Sequence, residues 1–254
     1  MVIINADDLG YSREVNKGIE ECFNKGVINR ATIMVNMPFA GEAAEMAKKA
    51  SVFDKIGLHI NLTEGEPLTE EAKNSALCAP DGRFNGTFHR SFKNRIYLDK
   101  KTREAIYKET EAQIRKYIEM GFTLFHADSH NYTHSYLSVY IPVRKLLKKY
   151  GFKSVRISRN IPKGSFSLFF LIYKGIFNIL IKNLRVNGKK IKTTKYFGSV
   201  QDYEASENKK ELNKSIEFMT HPLYSDGGVI DNTLPDPHPF ITKEWLLQSG
   251  ISLE

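Results

Sequence analysis

Cysteine is nearly missing from this chain: Cys22 and Cys78 are the only two in 254 residues. They supply neither a disulfide framework nor a CxxC pair of zinc-ligand spacing, so a reducing compartment is the simpler expectation. The start lacks a basic segment followed by a long apolar run, and the reading is a cytoplasmic protein. No uninterrupted apolar run reaches membrane-spanning length either. Ser165 to Ile181 (SFSLFFLIYKGIFNILI) comes nearest, but Lys174 and Gly175 interrupt it, so no stable insertion into a bilayer is expected. A lid, a core helix or a dimer face over 165–185 fits that segment, with binding at a membrane surface as the rival. An arm of clustered cations is also wanting. The formal charge is +8, yet Lys48-Lys49, Lys100-Lys101 and Lys145 to Lys149 spread over predicted helix faces, as a solvated surface requires. With no nucleic-acid motif beside them, nucleic acid is not an expected partner.

What is present is a regular alternation. Apolar residues make up 41%, ample for one large core, and the length suits a single α/β barrel domain over 1–254. Met1 to Ile4 reads as a buried strand, Ser12 to Lys25 as a helix capped by Ser12 and stopped at Gly26, Val27 to Asn36 as a strand, Gly41 to Ala50 as a helix and Lys55 to Thr63 as a strand. Such an order predicts a parallel sheet with helical crossovers. Periodicity fails from Thr69 to Lys101, which predicts a long loop excursion (69–101) over the top of the fold. An amphipathic helix from Lys101 to Met120 follows, resting on Ala105, Ile106, Ile114, Tyr117 and Ile118. Next come a strand opening at Phe122, a helix from Tyr136 to Tyr150 despite Pro142, and a strand from Ser154 to Arg159. Beyond the apolar segment lie a further strand within 189–202, a polar helix from Asn208 to Ser215, a strand ending at His221, and an exposed Pro-rich loop, Asp231 to Pro239, containing His238.

The chemistry gathers where strands end. Asp7 and Asp8 are adjacent carboxylates that repel, but a divalent cation on one would keep the other anionic and ready to act as a base. His59 sits inside its strand, where a lone histidine is ordinarily a hydrogen-bonded structural residue. His126, Asp128, His130 and His134 crowd into nine residues, which packing explains poorly. A metal role fits this group, with His126 the most structural member and Asp128 a partner that orients a histidine. Arg156 and Arg159 end another strand, where an arginine can fix the orientation of a catalytic acid. His221, before Pro222, is delivered the same way. In a parallel barrel these ends meet at one mouth.

Asn5-Ala6-Asp7-Asp8-Leu9-Gly10, Gly57-Leu58-His59-Ile60-Asn61-Leu62-Thr63, His126-x-Asp128-Ser129-His130-x-x-x-His134, Arg156-x-x-Arg159 and Glu217-Phe218-Met219-Thr220-His221-Pro222 resemble, in order, the motifs of the YdjC-like carbohydrate deacetylases, which include chitooligosaccharide deacetylase. The resemblance covers nearly the whole chain. It implies a (β/α) barrel of the glycoside hydrolase/deacetylase type, irregular or seven-stranded, and removal of acetyl groups from N-acetylated sugars such as chitooligosaccharides. It also implies a divalent cation, Mg²⁺ by family usage, while two imidazoles suit Zn²⁺ at least as well. By the same carry-over Asp8, His59 and His130 bind the cation, Asp7 resembles the base and His221 the acid. Arg156 then orients Asp7, and Tyr132, His134 and Arg159 stand at the sugar site. Tyr132 replaces a frequent histidine, Leu223 a frequent glycine, and Lys243-Glu244 is all that matches the usual C-terminal Arg and Glu; these departures bear on the substrate pocket. Two rivals stay open. One is a metal-dependent phosphoester hydrolase, whose two-metal form needs more carboxylates; the other is a non-catalytic sugar-binding protein, which has no need for Asp7 and His221 together. The apolar segment leaves room for a homodimer.

Overall fold

The computed structural model describes residues 1–86, 90–161, 168–233 and 237–253. Positions 87–89 of the expected excursion, 165–167 of the apolar segment and 234–236 of the Pro-rich loop lie outside the described residues. The first half runs β1 (Val2–Leu9), α1 (Arg13–Asn24), β2 (Arg30–Ile33), α2 (Ala40–Lys49), β3 (Ile56–Ile60), α3 (Glu70–Lys73), α4 (Phe92–Ile96), α5 (Lys100–Glu119) and β4 (His126–Ser129). The second runs α6 (Leu137–Lys149), β5 (Ser154–Val155), α7 (Leu168–Lys182), β6 (Arg185–Val186), β7 (Lys189–Lys190), β8 (Tyr196–Ser199), α8 (Val200–Glu204) and α9 (Lys209–Leu212). It closes with β9 (Ile216–Thr220), β10 (Pro222–Ser225), β11 (Gly228–Asp231), β12 (His238–Pro239) and α10 (Lys243–Gln248).

Local chemistry sets the helix ends. Ser12 Oγ accepts from the Val15 N–H at 3.2 Å, and Asp99 Oδ1 does the same for Thr102 N–H at 2.8 Å, each satisfying a donor that the first turn leaves without a helical partner. Gly26 closes α1 at φ +64, a conformation glycine adopts without strain. Helices α1, α2, α5 and α6 fall within one residue of the expected spans at each end.

Seven strands form one parallel sheet in the order β5-β4-β3-β2-β1-β9-β8. It curls into a half-barrel, in agreement with the irregular seven-stranded (β/α) barrel expected. The edges approach without forming a ladder: Val155 N–H donates to Lys192 C=O and Asn160 N–H to Phe197 C=O, both at 3.1 Å. Ile4, Leu9, Ile33, Leu58 and Phe218 are fully buried between sheet and helices, each contributing about 1.5–3 kcal/mol by leaving water.

Several expected boundaries need correction. Strand β1 does not stop at Ile4 but runs to Leu9, so Asp7 and Asp8 belong to the strand itself. Its register against β2 shifts between Ala6 and Leu9, the mark of a bulge. The excursion contains α3 and α4. The strand expected to open at Phe122 begins only at His126, because Phe125 takes φ +47 and turns the chain first. The strand expected over Ser154 to Arg159 keeps only two residues, and the helix expected over Asn208 to Ser215 only four. Pro222 does end the parallel sheet, but into a small antiparallel one, β10-β11-β12. There His238 is half-buried against Gln201, with 2.8 Å between their Nε2 atoms, and not exposed.

Candidate metal centre and its acid–base flanks

The β1 bulge lets neighbouring carboxylates serve one cavity. In a regular strand adjacent side chains point to opposite faces, but Asp8 takes φ +67, and both Asp7 and Asp8 line a cavity of about 540 Å³ at the C-terminal ends of the strands. Asp8 Oδ1 lies 2.8 Å from His130 Nδ1 and 3.2 Å from His59 Nε2. One donor atom from each of the three falls within 4.8 Å of the others. Burial raises the Asp8 pKa, but His130 and His59 more than offset this and hold it well below the usual carboxylate range.

His59 is aimed by its surroundings. Asp128 Oδ1 stands 2.7 Å from its Nδ1, and Thr32 Oγ1 donates to Asp128 Oδ2 at 3.1 Å. In the neutral ring an Nδ1–H donated to Asp128 leaves the Nε2 lone pair facing Asp8, the arrangement that serves a metal ligand. Burial opposes protonation of this ring, yet the Asp128 charge and its hydrogen bond, with help from Asp8 and Asp7, lift its pKa to about 10. Such an avidity for positive charge is what a divalent cation would satisfy, and one carboxylate with two imidazoles is a donor set that fits one. Gly57 matters here because a Cβ would come within 2.9 Å of His126 C=O, so any larger residue would push β3 off β4.

Asp7 sits on a buried platform. Arg156 Nη1 and Nη2 donate to its two oxygens at 2.7 Å each, and Asn5 Nδ2 donates to Oδ1 at 2.8 Å. Arg156 also gives Nε to Glu217 Oε1 at 2.6 Å and sets Nη2 2.8 Å from Asp128 Oδ2. Burial would depress this guanidinium, but Asp128, Asp7 and Glu217 together keep it charged well above its ordinary range. Two other carboxylate–histidine groupings, Asp7 with His59 and Asp128, and His126 with Asp128 and Glu217, are fully buried around this arginine. The protein's own cation already serves both.

His221 lines the same cavity. Its Nδ1 lies 3.2 Å from Thr233 Oγ1, which donates to Asp231 Oδ1 at 2.5 Å; Asp231 Oδ1 is itself 3.8 Å from Nδ1. Burial lowers the His221 pKa, but the Asp231 carboxylate, seconded by Asp8 and Asp7, raises it on balance.

Of the nine residues expected at the site, Asp7, Asp8, His59, His130, Tyr132, Arg159 and His221 line the cavity, and Leu223 joins them. His134 and Arg156 do not. His134 is 3% exposed, pairs with Ser129 Oγ at 2.6 Å and Arg156 C=O at 3.1 Å, and is pushed by burial to a pKa of about 4. It braces the turn after β4 instead of meeting sugar. Arg156, expected among the catalytic residues, is 1% exposed beneath Asp7 and meets the cavity only through its pairing with that carboxylate. Tyr132 takes the left-handed φ +55 and donates its hydroxyl to Met219 Sδ at 2.9 Å, so its ring forms a wall of the cavity. Thr32, Asn5 and Glu217 were not singled out from the sequence. The last two lie inside the quoted motifs, but Thr32 carried no signal. A larger cavity of about 960 Å³ opens at the opposite ends of the strands, around Val2, Asn29 and Leu124, and contains none of these groups.

The chain matches the family described as YdjC-like protein over residues 1–245. It is 31% identical over 225 residues to a carbohydrate deacetylase of Halalkalibacterium halodurans, covering 89% of this chain and 86% of the relative. A carbohydrate deacetylase of Thermoanaerobacter pseudethanolicus is 29% identical over 230 residues, with 91% and 84% covered. Among solved structures, a candidate cellobiose-phosphate cleavage protein of Enterococcus faecalis V583 superposes with a TM-score of 0.66 at 22% identity, over 100% of this chain and 96% of the other, a likeness of fold.

Proposed function

The chain belongs to the YdjC-like family, and we propose that it is a metal-dependent carbohydrate deacetylase that hydrolyses the acetamide of an N-acetylated sugar. The observation that carries this reading is the meeting of Asp8, His59 and His130 within one ion's reach, in a cavity that also holds Asp7 and His221. Asp8, His59 and His130 would hold the cation, which when bound polarises the acetyl carbonyl and makes water easier to deprotonate. Two imidazole donors favour Zn²⁺ over Mg²⁺, which prefers oxygen ligands and retained water.

The remaining steps belong to the chain. Asp7 takes the proton of the attacking water. A carboxylate offers about four lone-pair sites; Arg156 and Asn5 use three, leaving one on Oδ2. The paired guanidinium holds the plane of Asp7 fixed. An amine leaves poorly unless protonated, and His221, charged through its link to Asp231, supplies that proton to the sugar nitrogen. Tyr132 and Arg159 face the sugar. A two-metal phosphoester hydrolase lacks support, since Asp7 and Asp128, the carboxylates nearest the cluster, are committed to Arg156.

The test is acetate release from a panel of N-acetylated mono- and oligosaccharides, chitooligosaccharides included, using protein purified without added metal, before and after chelation. Acetate that disappears on chelation and returns with one divalent ion is the expected result, and elemental analysis then identifies the ion. No acetate under any divalent ion would end the proposal.

A further inference from the structure

Helix α7 packs Phe177 and Ile181 inward, yet its outer face is apolar too. Asn178 is buried, accepting from Ser158 N–H at 2.7 Å and donating to Ser158 C=O at 3.1 Å. Tyr173 Oη likewise accepts from Leu137 N–H and donates to Ser135 C=O, both at 3.1 Å. The face turned to solvent carries Leu168, Phe169, Leu171, Ile172, Ile176 and Ile179, with Leu168 73% and Ile179 61% exposed. Phe92 of α4, its ring 5.8 Å from that of Phe169, carries the apolar area onward to exposed Ile96 and Tyr97. Single exposed apolar side chains are ordinary in soluble proteins; a whole helix face is a contact surface.

Charge identifies what covers it. From Ser129 to Gln201 the sequence holds fifteen Lys and Arg and no Asp or Glu, while the rest of the chain carries 22 basic against 29 acidic residues. Exposed Arg185, Lys189 and Lys190 follow α7 directly. Beside the helix, a cavity of about 360 Å³ is lined by Lys174 and Lys182 with Leu171 and Ile179, and by Arg159, whose guanidinium is held by Asp202; no carboxylate lines the cavity itself. A two-fold contact with a second copy would set this surface against itself, positive against positive. An anionic bilayer complements both the apolar face and its cationic border. No described helix is long and apolar enough to cross a membrane, so α7 would lie in the interface plane.

We propose that α7 and α4 dock on an anionic phospholipid surface, the apolar face entering the headgroup–acyl boundary and the Lys174–Lys182 cavity receiving a lipid phosphate. Arg159 lines this cavity and the one holding Asp7 and His221, so docking brings the mouth of the site close to the lipid.

The test is sedimentation of the full chain with sucrose-loaded phosphatidylcholine vesicles containing or lacking phosphatidylglycerol, at low and high salt. Binding is expected only to the anionic vesicles and falls with salt. The double variants Ile172→Glu/Ile176→Glu and Lys189→Glu/Lys190→Glu each lower partitioning on the order of tenfold or more, with thermal melting unchanged. Failure to bind the anionic vesicles, equal binding to neutral ones, or a wild-type dimer by light scattering that Ile172→Glu/Ile176→Glu dissociates would each overturn the proposal.

Discussion

Asp7 and Asp8 show how two identical neighbours acquire different surroundings. Asp7 faces a guanidinium that already satisfies most of its oxygens, and Asp8 faces two imidazoles whose ring nitrogens lie with its oxygen within reach of one cation. Replacing Asp7 by Asn removes the proton acceptor and leaves Asp8, His59 and His130 untouched. We expect kcat for acetate release to fall about 10²–10⁴-fold, with cation affinity by calorimetry unchanged; normal turnover would remove Asp7 from the role. His221 makes the complementary case. Its folded pKa is raised, chiefly through Asp231 acting against burial, and the donating form is the protonated one. If His221 is the acid, activity is expected below that pKa and should be lost as pH rises through it. Asp231→Asn should move the alkaline limb of the kcat profile to lower pH, whereas a limb that stays put would show that another group supplies the proton. That these residues would meet at one cavity was legible in the sequence, because adjacent acids and histidines at strand ends have few structural uses. The left-handed turn at Asp8, which aims both carboxylates into one cavity, was not, because aspartate takes such a conformation without announcing it.

Helix α5 shows the limit of periodicity at the scale of an element. Its span follows from the apolar spacing, yet Ile118 of the expected apolar face is 39% exposed, while polar Glu109, Thr110 and Gln113 are fully buried. The reason is the chain leaving β3. Gln113 accepts from Asn61 N–H at 3.0 Å and donates to Asn61 C=O at 2.6 Å. Glu109 accepts from Leu68 N–H at 2.9 Å and from Thr69 N–H at 3.0 Å. Two polar side chains thus do for 61–69 what a neighbouring strand would have done, and no rule of helix spacing distinguishes them from a solvated face. Gln113→Leu would bury the Asn61 amide and carbonyl without partners, costing about 1–3 kcal/mol for each buried group left unsatisfied. At roughly 2–4 °C per kcal/mol in a chain of this size, melting should drop by several degrees. A Tm within a degree of wild type would mean that water replaces the glutamine. Because Asn61 follows His59 by two residues, the same variant should also weaken cation binding, read by calorimetry.

For the whole molecule, the alternating order of strands and helices was enough to foresee a parallel barrel, but not how it holds together where the sheet fails to close. Between β5 and β8 there is no ladder, and strand periodicity had no means of showing one missing. Arg156, just past β5, instead reaches Asp7 of β1, Asp128 of β4 and Glu217 of β9, all fully buried or nearly so. One cation at the axis therefore links the hydrogen-bonded pair β4–β5 to the hydrogen-bonded pair β1–β9, two pairs that share no ladder with each other. Such a centre adds little compared with a well-packed apolar one, but removing only the positive member leaves charges buried alone, at about 3–5 kcal/mol of a total that is about 5–15 kcal/mol for a typical domain. Arg156→Met should show that loss in denaturant unfolding, with a particular pH dependence. Burial already raises the Glu217 pKa against the pull of Arg156. Without the arginine, Asp128 loses the foremost of the charges that hold its pKa down. Carboxylates whose folded pKa lies above the unfolded value favour the folded state at low pH and disfavour it as pH rises through the folded pKa. The deficit of the variant relative to wild type should consequently be greatest at neutral pH and shrink toward pH values near the ordinary carboxylate range. A deficit that stays constant with pH would mean that Arg156 acts by packing and not by charge.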